Sequence, residues 1–557
     1  MVRSPQTSVR LSSLRPVAVP FLLYLLHAFL FGGWIVDDAG ISFVYARNLA
    51  AGHGLVAQPG LPPVEGFSNA LWVFLLTPLL AVRLFDPVVT PKLVSAALVA
   101  VSFVLLHRSL VRLDPAGQAI SLVTLSLLAL NTSFVAWTVS GLENPLYVCL
   151  ICLLFALLTQ ERTGGASARL SLAAGAVAAG IAMTRPDGIL FAVLYPLVTL
   201  FAQGRPIAWR EAGRRIGRFA VALAVLFGGF LLFRVLYFGD LYPNTYHAKG
   251  GPTGESIVNV LTLHPRVVQD LVDLAGSAAG QLGGPVLAAL VVGAAFLAGR
   301  GQLRWVHGAV LAFAGWSAAA YLLLPRDWMG EYRFATPFYP FFVAGAVLVA
   351  VALGRELLSG SDRRKTAGRL AVLAALGWAL VIFVPRSLLF AAQPTVPFTE
   401  VEVRFGQRFN RFADALGIEN GSILLPDVGG ALWSSRLRVY DLGGLTDRTI
   451  ARTLAKDRRA FHHYIFEVAR PTFIHIHGYW TASAALEADP RLHRDYVPLY
   501  LHFEPKVTEM TQGRPFRSGD FVRRDAILGK DEAVRAIRAE LVEEARRQVE
   551  RSPTRAR

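Results

Sequence analysis

Cysteine is almost absent from this chain. Its 557 residues contain only two, Cys149 and Cys152, which form a Cys-x-x-Cys pair inside an apolar run. A redox pair or a metal site at this spacing needs exposure and polar flanking residues, and the run provides neither. We therefore interpret both cysteines as packing residues, which carry no information about the redox compartment.

Charged residues are scarce as well. They make up 17% of the chain, whereas 54% of the residues are hydrophobic. A soluble protein this apolar would aggregate, so the composition predicts a polytopic α-helical membrane protein. The net charge of +16 does not indicate nucleic-acid binding, because most arginines cluster between apolar spans and no aromatic-interleaved basic module is present.

The hydrophobic residues are concentrated in about eleven predicted membrane spans. The first span lacks a small-residue cleavage site, so we predict an uncleaved helix. Arg3, Arg10 and Arg15 precede it, which predicts a cytoplasmic N-terminus. The predicted spans lie at residues 17–35, 92–112, 116–136, 145–160, 169–183, 188–203, 219–237, 278–299, 305–323, 337–354 and 370–390.

One further apolar segment, residues 70–85, is too short to be counted among the membrane spans. It has about 16 residues, interrupted by Pro78, against roughly 30 Å of hydrocarbon to cross. A crossing there would move the arginine-rich loops to the outer side, so we predict that the piece lies along the outer membrane surface. The large first loop, residues 36–91, is then periplasmic.

Eleven crossings, an odd number, place the part of the chain after the last span on the outer side. We therefore predict a transmembrane domain, 1–390, and a periplasmic soluble domain, 391–557. Segments Ser422–Pro426 and Thr472–His477 are typical of buried strands, which predicts an α/β domain. Alternating Glu and Arg from Asp531 to Val549 predict a solvated, charged helical tail.

Metal ligands are not evident in the sequence. Alternation puts His475 and His477 on one strand face, and His462 and His463 are adjacent. No carboxylate or cysteine completes a ligand set at a convincing spacing. We therefore predict no metal at these histidines.

The most informative stretch runs from Trp34 to Trp72. Asp37 and Asp38 stand where the chain leaves the first apolar span, and the same loop carries Arg47, His53 and Glu65. Carboxylates at that depth are costly to desolvate, so they usually face a water-filled cavity and mark a site. The alternative is a polar cap that ends the helix.

These residues resemble a known family. The pattern Asp-Asp-Ala-x-Ile-Ser-x-x-Tyr-Ala-Arg-Asn-Leu-x-x-Gly-x-Gly-Leu-Val begins at Asp37, and Glu-Gly-Phe-Ser-Asn-x-Leu-Trp begins at Glu65. Both are similar to the first periplasmic loop of GT-C glycosyltransferases, most of all the mycobacterial terminal arabinofuranosyltransferases. The resemblance implies a bacterial inner-membrane enzyme, a polyprenyl-phosphate sugar donor, and a catalytic base at Asp37 or Asp38. Family members that use such monophosphate donors often need no metal, so we predict no metal and no cofactor.

Two short outer loops also look like family segments. Ser-Gly-Leu-Glu-Asn, at 140–144, contains Glu143, and Thr-Arg-Pro-Asp-Gly, at 184–188, contains Arg185 and Asp187. The resemblance places these side chains at the cavity. Glu143 could instead be a helix N-terminal charge, and Arg185 and Asp187 could simply pair with each other.

Two segments offer cations for a phosphate. Residues 238–249 match the family's Pro-Asn-Thr-x-x-x-Lys pattern, and residues 326–337 resemble its Gly-x-x-Arg-Phe-x-x-Pro pattern. Lysine, histidine and arginine at a membrane boundary suit a departing phosphate. Interface anchoring and snorkelling are the alternatives. The candidates are Asn244, Tyr246, His247 and Lys249 in the first segment and Arg333 in the second.

Together these residues predict an inverting sugar transfer to a cell-envelope glycan. Asp37 or Asp38 would take the acceptor proton, while cations would hold the donor phosphate. A transporter or flippase for a lipid-linked saccharide is the alternative class, although paired inverted halves are not visible. Arabinofuranose follows only from the resemblance, and the oligomeric state stays open. The predicted phosphate ligands are Lys249, His247, Arg333 and Arg185; the predicted substrate contacts are Arg47, Glu65, Glu143, Asp187, Tyr246 and Asn244.

Overall fold

The computed structural model describes residues 15–201, 208–249, 258–259, 261–282, 284–324, 327–358, 360–511 and 516–551. Four arginines of the N-terminus and the predicted loops, at positions 3, 10, 205 and 326, lie outside these ranges. Every predicted site residue lies within them.

The first part of the chain is helical. Eleven helices come first in the described residues: α1 (Arg15–Leu30), α2 (Asp37–Ala50), α3 (Ala70–Ala81), α4 (Val89–Leu113), α5 (Gly117–Leu130), α6 (Thr132–Val139), α7 (Asn144–Gly164), α8 (Ala168–Thr184), α9 (Leu194–Phe201), α10 (Trp209–Phe238) and α11 (Asn244–Lys249). The helices Pro265–Leu282, Gly284–Gly299, Trp305–Leu322, Phe338–Leu357 and Ser361–Ala392 follow. Two 3₁₀ turns, Pro186–Val193 and Arg333–Ala335, precede α9 and Phe338–Leu357.

Six of the described helices are long and apolar enough to cross a membrane, and a seventh crossing results if one bent pair is counted as a single span. Six of the predicted spans coincide with these six helices. Four others, at 17–35, 169–183, 188–203 and 278–299, overlap apolar helices of 10–17 residues, the last of them only over Leu290–Gly299. The count of eleven crossings and the outer-surface position of α3 therefore remain predictions.

The bent pair corrects the predicted continuous span at 116–136. Helices α5 and α6 meet at an angle of 70°, because Asn131 between them adopts an extended backbone conformation. Its side chain accepts a hydrogen bond from the backbone N–H of Phe134 at 2.8 Å and so starts a new helix. The cap breaks the span where hydropathy alone predicts continuity.

The chain after Ser361–Ala392 folds around a five-stranded sheet, and we call residues 398–551 the C-terminal unit. The strands are β1 (Ser422–Leu425), β2 (Arg438–Asp441), β3 (Phe473–Ile476), β4 (Tyr496–Phe503) and β5 (Arg517–Arg523), in the spatial order β2-β1-β3-β5-β4. Strands β1, β2 and β3 are parallel, and β5 pairs antiparallel with β3 and β4. Both predicted strands are confirmed as β1 and β3.

Short helices connect and cover these strands. They are Phe398–Val401, Arg408–Ala415, Gly429–Ser434, Arg448–Thr453, Arg458–His463, Gly478–Ala484, Pro490–Asp495, Pro505–Met510 and Asp531–Arg551. Single π- or 3₁₀-helical turns span Glu402–Gln407, Tyr464–Ala469, Leu486–Ala488 and Arg524–Ile527. The predicted charged tail is the helix Asp531–Arg551, but it is not fully solvated, because Val534, Ile537 and Leu541 are buried in the core.

The C-terminal unit contacts the first loop along its edge strand. Gln58 hydrogen-bonds the backbone of Val439 in the edge strand β2 through both its amide nitrogen and its amide oxygen, each at 2.8 Å. Aromatic contacts continue the junction, with Phe43 of α2 against Phe398 at a centroid distance of 6.1 Å. The C-terminal unit is thus packed onto the loop that carries the Asp37-Asp38 pair.

Candidate functional site

Asp38 lies between two cations that are distant in sequence. Its Oδ2 is 3.6 Å from Nζ of Lys249 and 3.8 Å from Nη1 of Arg333. The side chain of Asp38 is 24% exposed, that of Lys249 46% and that of Arg333 8%. This partly open cluster of one carboxylate and two cations is the arrangement that the sequence predicts for a phosphate-handling site.

Arg333 is held in place from behind. It begins the 3₁₀ turn Arg333–Ala335, after Tyr332 in a left-handed backbone conformation with φ of 50°. Asp327 binds its guanidinium at two points, with Nε to Oδ2 at 2.9 Å and Nη2 to Oδ1 at 3.2 Å. Such bidentate pairing fixes the plane of the guanidinium. Nη1 donates to Sδ of Met329 at 3.0 Å and lies 3.8 Å from Asp38 Oδ2.

Lys249 ends the short helix α11, and Asn244 anchors the start of that helix. The Asn244 amide donates to the backbone carbonyls of Gly444 at 2.8 Å and Leu445 at 2.9 Å, and its backbone N–H donates to the backbone carbonyl of Glu65 at 2.9 Å. Asn244 therefore positions Lys249 through contacts with the C-terminal unit. Its predicted contact with substrate remains a prediction.

His247 and Tyr246 make other contacts. Nε2 of His247 lies 3.0 Å from Asp240 Oδ2, and the same oxygen pairs with Nη2 of Arg452 at 2.7 Å. The ring of Tyr246 stacks on Tyr242 with a centroid distance of 4.6 Å. Their predicted roles in phosphate and substrate binding remain predictions, and the structure joins neither to the Asp38 cluster by a direct contact among those described.

Arg185 forms a buried network with both carboxylates predicted near it. Nη1 contacts Glu143 Oε1 at 3.0 Å, and Nε contacts Asp187 Oδ1 at 3.0 Å. Tyr147 donates from its hydroxyl to Asp187 Oδ2 at 3.1 Å. The anticipated pairing of Arg185 with Asp187 is present, and Glu143 joins it.

This network adjoins the Asp38 cluster through one aromatic ring. The guanidinium carbons of Arg185 and Arg333 lie 4.7 Å and 4.6 Å from the centroid of Phe334. A cation over an aromatic ring is attracted by the ring quadrupole, so Phe334 ties the two arginines together. Arg185 can thus support Arg333 without touching Asp38.

Asp37 faces away from this cluster. It is 4% exposed, and its two carboxylate oxygens accept hydrogen bonds from the backbone N–H groups of Gly429 at 3.0 Å and Gly430 at 2.7 Å. Burial, followed by the charge of Asp427, raises the pKa of Asp37, while the two amide donors act in the opposite direction. The two neighbouring aspartates therefore have different partners.

Two further residues predicted to contact substrate are occupied elsewhere. Arg47 donates to the backbone carbonyls of Trp433 at 2.7 Å and Leu432 at 3.2 Å. Glu65 is buried against Arg234 of α10, with Oε2 to Nε at 2.7 Å and Oε1 to Nη2 at 3.1 Å. Both residues hold elements together in this structure.

The sequence analysis missed a hydrogen-bonded row of four side chains in the C-terminal unit. Nδ1 of His475 lies 2.6 Å from Asp520 Oδ1, and its Nε2 lies 3.0 Å from Nδ1 of His477. Nε2 of His477 then lies 3.2 Å from Asp427 Oδ2. The alternation of His475 and His477 was the available signal, whereas the two aspartates are distant from them in sequence.

The pKa values of the two histidines of this row shift in opposite directions. Burial lowers the pKa of His475, which favours its neutral form. Burial also opposes charge on His477, but the hydrogen bond and the charge of Asp427 outweigh it and raise the pKa of His477. Among the described residues no group of three or more His, Cys, Asp or Glu side chains could hold a metal ion.

This row predicts a pH dependence of stability. Because the pKa of His477 is raised above the usual value of about 6.5, its protonated form stabilises the fold below that pH, and the contribution is lost as pH rises through the raised value. We expect the unfolding temperature to fall above about pH 6.5, and less so in His477→Gln. Thermal unfolding across pH tests this, with exposed His493→Gln as control; identical profiles for wild type and His477→Gln would contradict it.

An apolar cavity of about 530 Å³ lies between α2, α8 and α10. Its wall includes Leu49, Met183, Phe230, Phe233 and Tyr237. The hydroxyl of Tyr237 accepts a hydrogen bond from the backbone N–H of Leu55 at 3.0 Å, which joins α10 to the first loop beside the cavity. A cavity with such a lining suits an aliphatic chain.

Comparisons with known proteins concern the fold. No protein-family model and no curated protein sequence matches the chain. The archaeal oligosaccharyltransferase AglB from Archaeoglobus fulgidus, in complex with an inhibitory peptide and a dolichol-phosphate, is similar with a TM-score of 0.55 at 10% identity, over 91% of this chain and 74% of that chain. The same oligosaccharyltransferase in the apo form gives 0.51 at 12% identity, over 91% and 74%.

The arabinofuranosyltransferase AftD from Mycobacteria has a TM-score of 0.45 at 16% identity, over 91% of this chain and 40% of that chain, and we base no argument on this lower likeness. Likeness at such identities shows a shared fold and not a shared activity. With six helices among its described residues able to span a bilayer, this chain is a multi-pass membrane protein with the GT-C fold, as the first-loop motifs predict.

Proposed function

We propose that this protein is an inverting membrane glycosyltransferase that moves a sugar from a polyprenyl-phosphate donor to a cell-envelope glycan. The observation that carries the proposal is the cluster of Asp38 with Lys249 and Arg333. Sugar transfer from a lipid phosphate needs a base for the acceptor hydroxyl and cations for the leaving phosphate. This cluster offers both, with Asp38 Oδ2 no more than 3.8 Å from either cation.

In the proposed reaction Asp38 takes the proton of the acceptor hydroxyl. The hydroxyl oxygen forms a bond to the anomeric carbon as the bond from that carbon to the phosphate oxygen breaks. The polyprenyl phosphate leaves with the bonding electrons, and Lys249 and Arg333 stabilise its added negative charge. The attack and the departure take place on opposite faces, so the anomeric configuration is inverted.

Two observations support a lipid-linked donor. The apolar cavity beside α10 gives an isoprenoid chain a place to lie, and α10 leads through residues 239–243 to the helix that ends at Lys249. The AglB structure of similar fold contains a dolichol-phosphate. Arabinofuranose as the sugar rests only on the first-loop resemblance to terminal arabinofuranosyltransferases.

The orientation is part of the proposal. We place the protein in a bacterial inner membrane, with a cytoplasmic N-terminus and a periplasmic domain from residue 391. The arginine distribution between spans supports this orientation. The cluster at Asp38 and the C-terminal unit then share the outer face, where a glycan acceptor is accessible. The proposed reaction uses no cofactor and no metal.

The proposal is tested with purified protein in liposomes that carry a polyprenyl-phosphate arabinofuranose labelled in the sugar. We expect label to pass to an added arabinan acceptor, with release of unlabelled polyprenyl phosphate and inversion at the anomeric carbon. Movement of intact labelled lipid between leaflets, without loss of sugar, would identify a flippase instead. Failure with this donor but transfer from another polyprenyl-phosphate sugar would correct the sugar alone.

A further inference from the structure

Helix α2 is attached at both ends to one short helix of the C-terminal unit. We call this element, Gly429–Ser434, the docking helix. Asp37, at the start of α2, accepts hydrogen bonds from the first two residues of the docking helix. Arg47, in the last turn of α2, donates to the carbonyls of Leu432 and Trp433 and stacks on the Trp433 ring at 4.6 Å.

The two helices approach so closely that only glycine fits between them. A Cβ on Gly429 would lie 1.8 Å from the backbone oxygen of Asp37, and a Cβ on Gly40 would lie 2.6 Å from the backbone carbon of Gly429. Atoms at those distances overlap, so neither position can carry a side chain without moving the backbone. The contact therefore sets the separation of α2 and the C-terminal unit.

Asp38 follows Asp37 in the same rigid helix. Successive residues of an α-helix point about 100° apart, so fixing Asp37 against the docking helix also fixes the direction of Asp38. That direction brings Asp38 within 3.8 Å of Arg333 and 3.6 Å of Lys249. The second cation depends on the same unit, because Asn244 of α11 binds the carbonyls of Gly444 and Leu445.

We propose that Asp37 is a positioning residue that docks the C-terminal unit onto α2 and thereby aims Asp38 at its two cations. Its carboxylate is bound to backbone amides and is 4% exposed, so burial keeps it from an acceptor hydroxyl that reaches the more exposed Asp38. The inference deepens the proposed function and rests on it. It divides the Asp37-Asp38 pair into one residue for docking and one for chemistry.

Gly429→Ala disrupts the contact from the side of the docking helix and leaves both carboxylates in place, whereas Asp37→Ala disrupts it from the side of α2. We expect Gly429→Ala and Asp37→Ala each to lower the transfer rate roughly 100-fold, because displacement of a reacting group by about 1 Å costs that much. The KM for the donor should change less than the rate, since Arg333 stays bound to Asp327 even where Lys249 moves with the C-terminal unit. Gly377→Ala, with open space around its Cβ position, and exposed Asp531→Ala are the matched controls.

A cross-link distinguishes positioning from chemistry. Gln58→Cys and Arg438→Cys lie on the two sides of the junction, because Gln58 binds the backbone of Val439. A short bis-maleimide between them should restore the rate of Asp37→Ala to within about threefold of the cross-linked wild type, as the lost positioning is resupplied. The same cross-link should leave Asp38→Asn inactive. The native cysteines, 149 and 152, are buried.

Transfer rates and cross-linking yields together test whether Asp37 positions Asp38 or takes part in the reaction. Loss of activity in Asp37→Ala that the cross-link does not relieve, with a wild-type rate for Gly429→Ala, would overturn the inference and make Asp37 a reacting group. Cross-linking yield gives a readout independent of activity, and we expect it to fall in Asp37→Ala and Gly429→Ala. An inactive wild type with these reduced yields would refute the proposed function while leaving the docking role intact; unchanged yields would refute the docking role.

Discussion

Replacing Asp38 with asparagine is expected to lower kcat for sugar transfer by roughly 10²–10⁴-fold, the usual contribution of a general base. Asparagine keeps the shape of the side chain but cannot accept a proton from the acceptor hydroxyl. It also removes the negative charge that lies 3.6 Å from Lys249 and 3.8 Å from Arg333. Lys249 is then left to the donor phosphate, while Arg333 keeps Asp327 as its partner, so the KM for the donor should fall or stay constant.

Steady-state kinetics with a labelled donor measure both quantities separately. A fall in kcat without a rise in KM is the signature of a group that acts in the transition state. The control is Asp362→Asn, at a side chain that is 94% exposed. A variant with unchanged kcat and a raised KM would show that Asp38 only binds substrate, and full activity would remove it from the site.

The pairing of Asp38 with two remote cations could be predicted from sequence in outline. The distribution of arginines assigns three separate motifs, around Asp38, Lys249 and Arg333, to one face of the membrane, and residues on one face can meet. The choice between Asp37 and Asp38 could not be predicted. It depends on amides of Gly429 and Gly430, which lie more than 390 positions along the chain.

Elements of the fold are predictable from sequence where their structure depends mainly on residues within the same segment. Strands β1 and β3 are predictable from short apolar runs, because a buried strand needs such a run. The position of the tail helix is also predictable, but Val534, Ile537 and Leu541 form an apolar stripe that the Glu–Arg alternation conceals. The break at Asn131 depends on a side-chain cap that hydropathy does not register.

Several predicted substrate contacts have partners within the protein, and for Glu65 the sequence contains an overlooked signal. Arg234 stands within the predicted apolar span 219–237, near its end, and a charged residue inside a span needs a partner. Glu65, assigned to a polar loop, supplies that partner. Glu143 and Asp187 likewise bind Arg185. A search of the sequence for unpaired charges in the spans would therefore have connected Arg234 with an acidic residue of a neighbouring loop.

The Glu65–Arg234 pair leads to the largest expected effect on stability. The two side chains are 1% and 9% exposed, so removing one partner leaves a buried, unpaired charge. We expect Arg234→Met to lower the free energy of unfolding by about 3–5 kcal/mol, and Glu65→Gln with Arg234→Met together to recover most of that loss. The recovery separates a charge effect from a packing effect, since the double variant keeps similar volumes.

The free energy of unfolding is measured by heat or denaturant for four detergent-solubilised proteins: wild type, Glu65→Gln, Arg234→Met and the double variant. Together they give the coupling energy between the two residues. The exposed pair Arg547–Glu543, with side chains 67% and 52% exposed, is the control. Its double-mutant cycle should give a coupling energy of about 0.3–0.5 kcal/mol. If the effects of Glu65→Gln and Arg234→Met simply add, the two residues are not coupled and Glu65 is free to bind substrate. Strong coupling instead makes Glu65 the residue that fastens the first loop to α10 beside the Asp38 cluster, because the backbone carbonyl of Glu65 also accepts the backbone N–H of Asn244.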